Sequence, residues 1–180
     1  TLNNQFSAYA GPEAYTRFEK LVVCSAMDAL KNTDIKLNNG RTLFILSTTK
    51  GNIDLLDPSV NRFGDINRLY LWNTAGLLQQ FLGLANKPMV ISNACISGLL
   101  AIITGARMIR SGSYDHVVVT GADLVTEFVL SGFNSFLSLS EGPCKPFDRD
   151  RQGLSLGEGA GTIILTSDQQ LQNKSMRIRI

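Results

Sequence analysis

Apolar residues in the first sixty positions follow a helical period and then a strand-like run. Between Pro12 and Leu30 they recur every three or four residues, which predicts an amphipathic helix over that range with Pro12 in its first turn. The run TLFILST at 42–48 is short, apolar and β-branched, so it predicts a buried strand. The polar residues around Gly51 and Pro58 then predict a loop.

The same alternation continues through the middle of the chain. Arg68–Leu84 carries apolar side chains at helical spacing, although Gly76 weakens the helix propensity of this stretch. Met89–Ser92 predicts a second buried strand. Cys95–Arg110 is apolar on almost every side, which predicts a central helix that is covered on several sides.

Further strand-like runs complete the pattern. His116–Thr120 predicts a third strand, Gly132 and Phe133 fall in the loop after it, and Gly161–Thr166 predicts another strand. The final SMRIRI at 175–180 predicts the start of one more. Strands separated by helices favour right-handed crossovers, so the expected fold class is α/β, with a mostly parallel mixed sheet that helices cover.

The composition describes one domain without a strong charge preference. A chain of 180 residues can bury a sizeable core, and 44% hydrophobic with 18% charged residues indicates a globular protein. The net charge of +2 indicates no nucleic-acid partner. No apolar run approaches the roughly 20 residues of a membrane span, and the opening TLNNQFSAYAG lacks secretory features. We therefore expect a cytoplasmic protein with no membrane partner.

The cysteines and the histidine indicate no metal site. Cys24, Cys95 and Cys144 are odd in number and stand at no metal-like spacing, so they are interpreted as reduced thiols. His116 cannot form a zinc site by itself, and its place at the start of a strand favours a structural role.

The motif NACISG at 93–98 places Cys95 between a strand and a helix. A thiol at a helix N-terminus lies near free backbone N–H groups and the positive end of the helix dipole, which favour a reactive thiolate. Ser92 or Asn93 is expected to cap this helix. The alternative is that Cys95 is one more small residue of the core, because free cysteines are often buried. The hexapeptide alone leaves both interpretations open.

A second motif, PFDRDRQGLSLGEGAG at 146–161, is longer and more specific. Its glycines predict tight turns, but it has neither the GK[ST] ending of a P-loop nor the spacing of a dinucleotide-binding loop. Glu158 is either a buried structural carboxylate or a general base. We favour the structural role, because the sequence shows no titratable partner near it.

Four motifs in order resemble the N-terminal half of a β-ketoacyl-acyl-carrier-protein synthase of the elongating type. They are NACISG at 93–98, VVVTGAD at 117–123, GFNSFLSLS at 132–140 and KPFDRDRQGLSLGEGAG at 145–161. The resemblance runs from about Pro12 to the end of the chain. It implies a thiolase-like fold, whose complete form packs two similar α/β halves.

The resemblance also implies a chemistry for Cys95. In this family the cysteine accepts an acyl group, and a malonyl thioester then decarboxylates and attacks the acyl-enzyme to give a 3-oxoacyl product. The backbone N–H of Cys95 is expected to supply one oxyanion donor. Phe133 aligns with a residue near the acyl pocket, with a core aromatic as the alternative, and Ile96 replaces a small residue and is expected to reshape that pocket.

Partners and cofactors follow from the same resemblance. We expect acyl carrier protein as the protein partner, a homodimer, and no cofactor. The family uses two histidines and a lysine in its C-terminal half, whereas this chain has one histidine. Residues 1–180 are therefore expected to form a single domain, the N-terminal half alone with the C-terminal half absent, inactive in condensation by itself.

Two other function classes compete with this interpretation. Ketosynthase-like subunits exist that act as a scaffold or set chain length, typically without the cysteine, so Cys95 favours the enzyme. A dinucleotide-binding domain is disfavoured because no glycine fingerprint follows the first apolar strand.

Overall fold

The computed structural model describes residues 1–168, so the strand expected at 175–180 lies outside the described residues. The helices are α1 (Leu2–Phe6), α2 (Arg17–Leu30), α3 (Leu71–Leu82), α4 (Ser97–Arg110) and α5 (Glu127–Ser135). The strands are β1 (Thr42–Ser47), β2 (Met89–Ile91), β3 (His116–Asp123) and β4 (Gly159–Thr166). Short 3-10 helices occupy 12–14, 53–56 and 66–69.

The four strands form one mixed sheet in the order β2-β1-β3-β4. β1 pairs in parallel with β2 and with β3, while β4 runs antiparallel to β3. The α/β class with a mostly parallel sheet is therefore confirmed. Parallel pairing places the carboxyl ends of β1, β2 and β3 at the same edge, and the loops that follow them meet there.

β1 lies at the centre of two cores, because every residue in it is buried. Phe44 and Leu46 point to the face that α2 and α3 cover, and Leu43 and Ile45 point to the face that α4 covers. An apolar run without polar alternation is what a strand covered on both faces requires. The result is a helix–sheet–helix arrangement around the strand predicted at 42–48.

The first long helix begins later than its apolar period predicts. Pro12–Ala14 is a separate 3-10 helix, and α2 begins at Arg17. Thr16 forms a capping box there: its side chain accepts from the Glu19 N–H, and the Glu19 side chain accepts from the Thr16 N–H. This reciprocal cap fixes the helix start, so the prediction of a helix from Pro12 is wrong by five positions.

α3 and β2 are shorter than predicted, and β2 is less buried. α3 begins at Leu71, because Ile66–Leu69 forms a 3-10 helix, and it ends at Gly83 with φ 62°. The left-handed conformation of Gly83 is a frequent helix C-terminus. The strand predicted at 89–92 is confirmed as β2, but the prediction that it is buried is wrong: β2 is half-buried and, within residues 1–168, pairs with β1 alone.

α4 packs on the sheet through small side chains. Its buried residues are Ser97, Ala101 and Gly105. A Cβ on Gly105 would stand 3.0 Å from Val117 Cγ1, so the glycine permits close contact between the helix and β3. The opposite side of α4 is open, with Leu99 60% exposed. Within residues 1–168 the helix is covered on one face, not on several sides.

α5 contains the two residues that were assigned to a loop. Gly132 and Phe133 lie inside Glu127–Ser135, and Thr126 caps this helix by accepting from the Val129 N–H. The loop prediction is wrong because the cap at Thr126 outweighs the low helix propensity of one glycine. Among the described residues, no helix is long and apolar enough to cross a membrane.

Candidate active site at the Cys95 turn

Cys95 lies in a tight turn between β2 and α4. β2 ends at Ile91 and α4 begins at Ser97, so five residues connect the strand to the helix. The Cys95 side chain is exposed. The interpretation of Cys95 as a buried core residue is therefore wrong for the described part of the chain.

The backbone of the turn holds a left-handed residue directly before the cysteine. Ala94 has φ 45°, a conformation that costs a residue with a Cβ about 1 to 2 kcal/mol. Residues held in this region cluster at functional sites, where the surrounding structure enforces them. The strained residue turns the chain so that Cys95 faces outward at the start of α4.

Ser97 holds this turn together, in place of the expected caps. Its Oγ donates to the Ala94 carbonyl oxygen at 2.6 Å and accepts from the Asn93 N–H at 2.7 Å. The N-cap residue is Ile96, which makes no side-chain cap. The expectation that the side chain of Ser92 or Asn93 caps the helix is wrong, because Asn93 contributes its backbone N–H. A serine inside the first helical turn gave no such signal in the sequence.

The turn can stabilise negative charge next to the thiol. Cys95 stands two residues before Ser97, whose N–H donates to the Ala94 carbonyl oxygen at 3.2 Å, so the N–H groups without a partner within the helix are those that follow it in the first turn of α4. These groups and the helix dipole favour an anion at this position. The same N–H groups and helix dipole would stabilise an oxyanion that forms when the Cys95 sulfur attacks a carbonyl carbon.

The other two candidate site residues lie on different elements. Ile96 follows Cys95 and is 51% exposed, so it borders the thiol at the surface. Phe133 is half-buried on α5, which packs against the 3-10 helix at 53–56. Ile96 is next to Cys95 by sequence adjacency, whereas Phe133 lies on α5.

A hydrogen-bonded cluster lies at the same edge of the sheet. Oδ1 of Asp123, at the end of β3, accepts from Thr48 Oγ1, Thr49 N and Thr49 Oγ1, each at 2.9 Å. The sequence predicted no site role for Asp123, Thr48 or Thr49, although Asp123 ends the motif VVVTGAD. The available signal was position: Asp123 is the last residue of β3, and the two threonines directly follow β1.

Glu158 has a titratable partner that the sequence did not reveal. Its carboxylate forms an ion pair with Arg17, at the start of α2. The absence of a partner nearby in the sequence was therefore misleading, because Arg17 is distant along the chain. Glu158 is also exposed rather than buried. The ion pair ties the GEGAG segment to α2, which agrees with a structural role.

A pocket lies beside this ion pair. Its volume is about 690 Å³, and both Arg17 and Glu158 line it. The 3-10 helix at 53–56 and the start of α5 form other parts of its wall. A pocket of this size falls in the range that binds small molecules.

The remaining thiols and the histidine show no sign of catalysis. Burial raises the pKa of the Cys24 thiol, and the charge of Asp28 raises it further, so Cys24 is poorly suited to act as a nucleophile. Cys144 is half-buried and its N–H donates to Ser155 Oγ at 3.0 Å. Nδ1 of His116 lies 2.8 Å from Thr166 Oγ1, at the opposite end of β3 from Asp123.

Comparisons with known proteins agree on one family. The model of the β-ketoacyl synthase N-terminal domain matches residues 3–170. Nodulation protein E of Rhizobium leguminosarum bv. trifolii is 37% identical over 94 residues, which cover 52% of this chain and 23% of that protein. The 3-oxoacyl-[acyl-carrier-protein] synthase 2 of Vibrio cholerae is 34% identical over 111 residues, which cover 58% of this chain and 27% of that protein.

A solved structure extends the similarity to the fold. The ketosynthase ApeO, in complex with its chain length factor ApeC from Xenorhabdus doucetiae, matches with a TM-score of 0.75 and 30% identity. The match covers 86% of this chain and 42% of that one. The chain thus spans less than half of the length of these relatives.

Proposed function

The chain belongs to the β-ketoacyl synthase family, and from that premise we propose that it is the N-terminal half of a 3-oxoacyl-acyl-carrier-protein synthase. Cys95 is the acyl-accepting nucleophile of the proposed enzyme, in fatty acid or polyketide synthesis. The observation that carries this proposal is the exposed cysteine in a strained turn at the start of α4. The core alternative for Cys95 would have required burial.

The proposed step is transfer of an acyl group from a carrier thioester. The Cys95 sulfur forms a bond to the carbonyl carbon, the carbon–sulfur bond of the donor breaks, and the proton of Cys95 passes to the departing thiol. The backbone N–H of Cys95 donates to the oxyanion of the tetrahedral intermediate in this proposal. Ile96 borders the acyl group, and Phe133 contributes to the acyl pocket from α5.

A C-terminal half of the same enzyme is the first proposed partner. Phe136 and Leu137 are 81% and 87% exposed, and Phe147 is fully exposed. Leu137 and Phe147 also have positive φ, at 50° and 63°, so the backbone holds these apolar side chains outward at an energetic cost. Large apolar side chains that are this exposed are typical of an interface. The open side of α4 supports the same proposal.

The remaining partners are proposed from the family. Acyl carrier protein delivers both the acyl and the malonyl group, and the protein works in the cytoplasm. A homodimer is supported by β2, which pairs on one side only and leaves its other edge open among the described residues. Light scattering of the purified chain tests the dimer.

A chain-length or scaffold subunit is the second candidate function. Similar solved structures include ketosynthases bound to a chain length factor, which makes this class relevant. The exposed Cys95 favours the condensing subunit, because a scaffold has no use for an accessible nucleophile.

Acyl uptake by Cys95 tests the proposal. The chain is incubated with a hexanoyl-pantetheine thioester, and intact mass spectrometry follows the added acyl group. We expect one acyl group per chain, lost in Cys95→Ala and retained in the matched variants Cys24→Ala and Cys144→Ala. An unmodified chain, or modification that survives Cys95→Ala, would contradict the proposal and favour the scaffold.

A further inference from the structure

One carboxylate oxygen fixes the loop that follows β1. Oδ1 of Asp123 accepts three hydrogen bonds of 2.9 Å, from the hydroxyl groups of Thr48 and Thr49 and from the Thr49 N–H. The residues that leave β1 are therefore tied to the end of β3.

Thr48 connects this cluster to the strand that leads to Cys95. Its N–H donates to the Ile91 carbonyl oxygen at 3.3 Å, and Ile91 is the last residue of β2. Thr48 is 1% exposed, and its Oγ1 also accepts from the Gly51 N–H at 3.0 Å. With both its amide and its hydroxyl engaged, Thr48 has little freedom to move. The turn to Cys95 starts from the β2 end that Thr48 holds.

We infer that Asp123 is a positioning residue for Cys95, acting through Thr48 and Thr49 on the end of β2. The inference rests on the proposed function, since it gives Asp123 a part in acyl transfer to Cys95. Asp123 does not touch the reacting atoms in this role. It keeps the turn at 92–96 in the orientation in which the thiol and the backbone N–H groups act on one carbonyl.

The alternative to positioning is a purely structural role, and two reagents separate them. Acyl transfer from a thioester needs both the sulfur and the oxyanion donors in place, whereas iodoacetamide needs only an accessible thiolate. A displaced turn therefore slows acyl transfer more than alkylation. Global destabilisation would instead appear in the thermal unfolding midpoint.

The central experiment compares Asp123→Ala with Asp123→Asn. The alanine variant removes the acceptor, while asparagine keeps one oxygen where Oδ1 stands. We expect Asp123→Ala to slow hexanoyl transfer to Cys95 about tenfold or more, because a misplacement of about 1 Å can cost a hundredfold. Its alkylation by iodoacetamide should stay within about twofold of the parent rate. Asp123→Asn should restore acyl transfer to within about threefold.

Two further variants keep the test informative if Asp123→Ala does not fold. Thr49→Val removes a hydroxyl donor and should slow acyl transfer by a smaller factor, while Thr49→Ser retains the donor and the parent rate. Asp115→Ala is the matched control, because it breaks an ion pair with Arg41 at the other end of β3. It should change neither rate.

Each outcome decides between the claims. Equal acyl transfer in the parent, Asp123→Ala and Thr49→Val overturns the positioning role and leaves the proposed function intact. An equal loss of the acyl-transfer rate in Asp123→Ala and Asp123→Asn would also overturn the positioning role. It would show that the charge of Asp123 matters and not the position of its oxygen. A parent chain that takes up no acyl group contradicts the proposed function and the inference together.

Discussion

At the scale of single residues, a left-handed backbone and one serine hydroxyl present the candidate nucleophile Cys95. Ala94 adopts φ 45° and Ser97 closes the turn with two hydrogen bonds. Alanine has no preference for the left-handed region, so nothing in NACISG marks it. The motif marked Cys95 as the candidate nucleophile, whereas the geometry that exposes it depends on how β2 and α4 are joined.

Asp54 is a carboxylate whose charged form is disfavoured by burial. Its Oδ1 is buried and has no hydrogen-bond partner among the described residues. Burial raises the pKa of Asp54, and the charge of Glu19 raises it further, against the opposing effect of the Asp54 and Leu55 N–H groups and Arg17. A carboxyl whose folded pKa exceeds its unfolded value stabilises the fold at low pH. That contribution is lost as the pH rises through the folded pKa.

Asp54→Asn is therefore expected to increase the free energy of unfolding at about pH 7 and to lose this advantage toward about pH 4. Urea unfolding at several pH values measures the difference. Asp57→Asn is the matched control of opposite sign, because hydrogen bonds from Ser59 lower the pKa of Asp57. It should not stabilise the chain at neutral pH. A less stable Asp54→Asn at that pH would show that the carboxylate is needed.

At the scale of elements, the start of α2 is held by contacts from two other parts of the chain. Thr16 Oγ1 donates to Asn52 Oδ1 at 2.6 Å, and Asn52 Nδ2 donates to Glu19 Oε1 at 3.0 Å. Arg68 forms an ion pair with Glu19 at 2.7 Å. A capping box is readable in a sequence, but the apolar period alone extended the helix to Pro12. The partners from 52 and 68 are not local and could not be predicted.

Arg68→Met is expected to destabilise the chain by about 3 to 5 kcal/mol, because it leaves the charge of a buried Glu19 without its partner. The side chain of Glu19 is 1% exposed, so water cannot replace the guanidinium. The double variant Glu19→Gln with Arg68→Met should be more stable than Arg68→Met alone. Chemical denaturation of the three proteins measures these differences.

The control for this prediction is Arg62→Met, which breaks an exposed ion pair with Glu13. It should cost at most about 1 kcal/mol, because solvent screens exposed pairs. An equal decrease in the free energy of unfolding for Arg62→Met and Arg68→Met would contradict the prediction that the buried ion pair contributes more than the exposed one.

At the scale of the whole molecule, the sheet and its helices form a core, while several large apolar side chains stay exposed. Phe136, Leu137 and Phe147 are exposed, as is one side of α4. The sequence predicted a helix covered on several sides, because it contains enough apolar residues for that. Within residues 1–168, other elements pack against only one side of α4.

We expect this chain by itself to catalyse no condensation of an acyl group with malonyl-acyl-carrier-protein. The physical reason is that Cys95 has no histidine near it to stabilise the enolate, since the one histidine lies at the other end of β3. Release of CO₂ from labelled malonyl groups measures the reaction, with Cys95→Ala as the background. Turnover well above that background would show that residues 1–180 suffice.

The sequence by itself determined the family, the α/β class and the strands of the central sheet, and it marked Cys95 as the candidate nucleophile. These features depend on local pattern, such as an uninterrupted apolar run in β1 or a motif with fixed spacing. Only the tertiary structure decided the contacts of Asn52 and Arg68 with the start of α2, the Arg17–Glu158 pair and the Asp123 cluster. Each of these depends on residues distant along the chain, and their proximity exists only after the strands have paired.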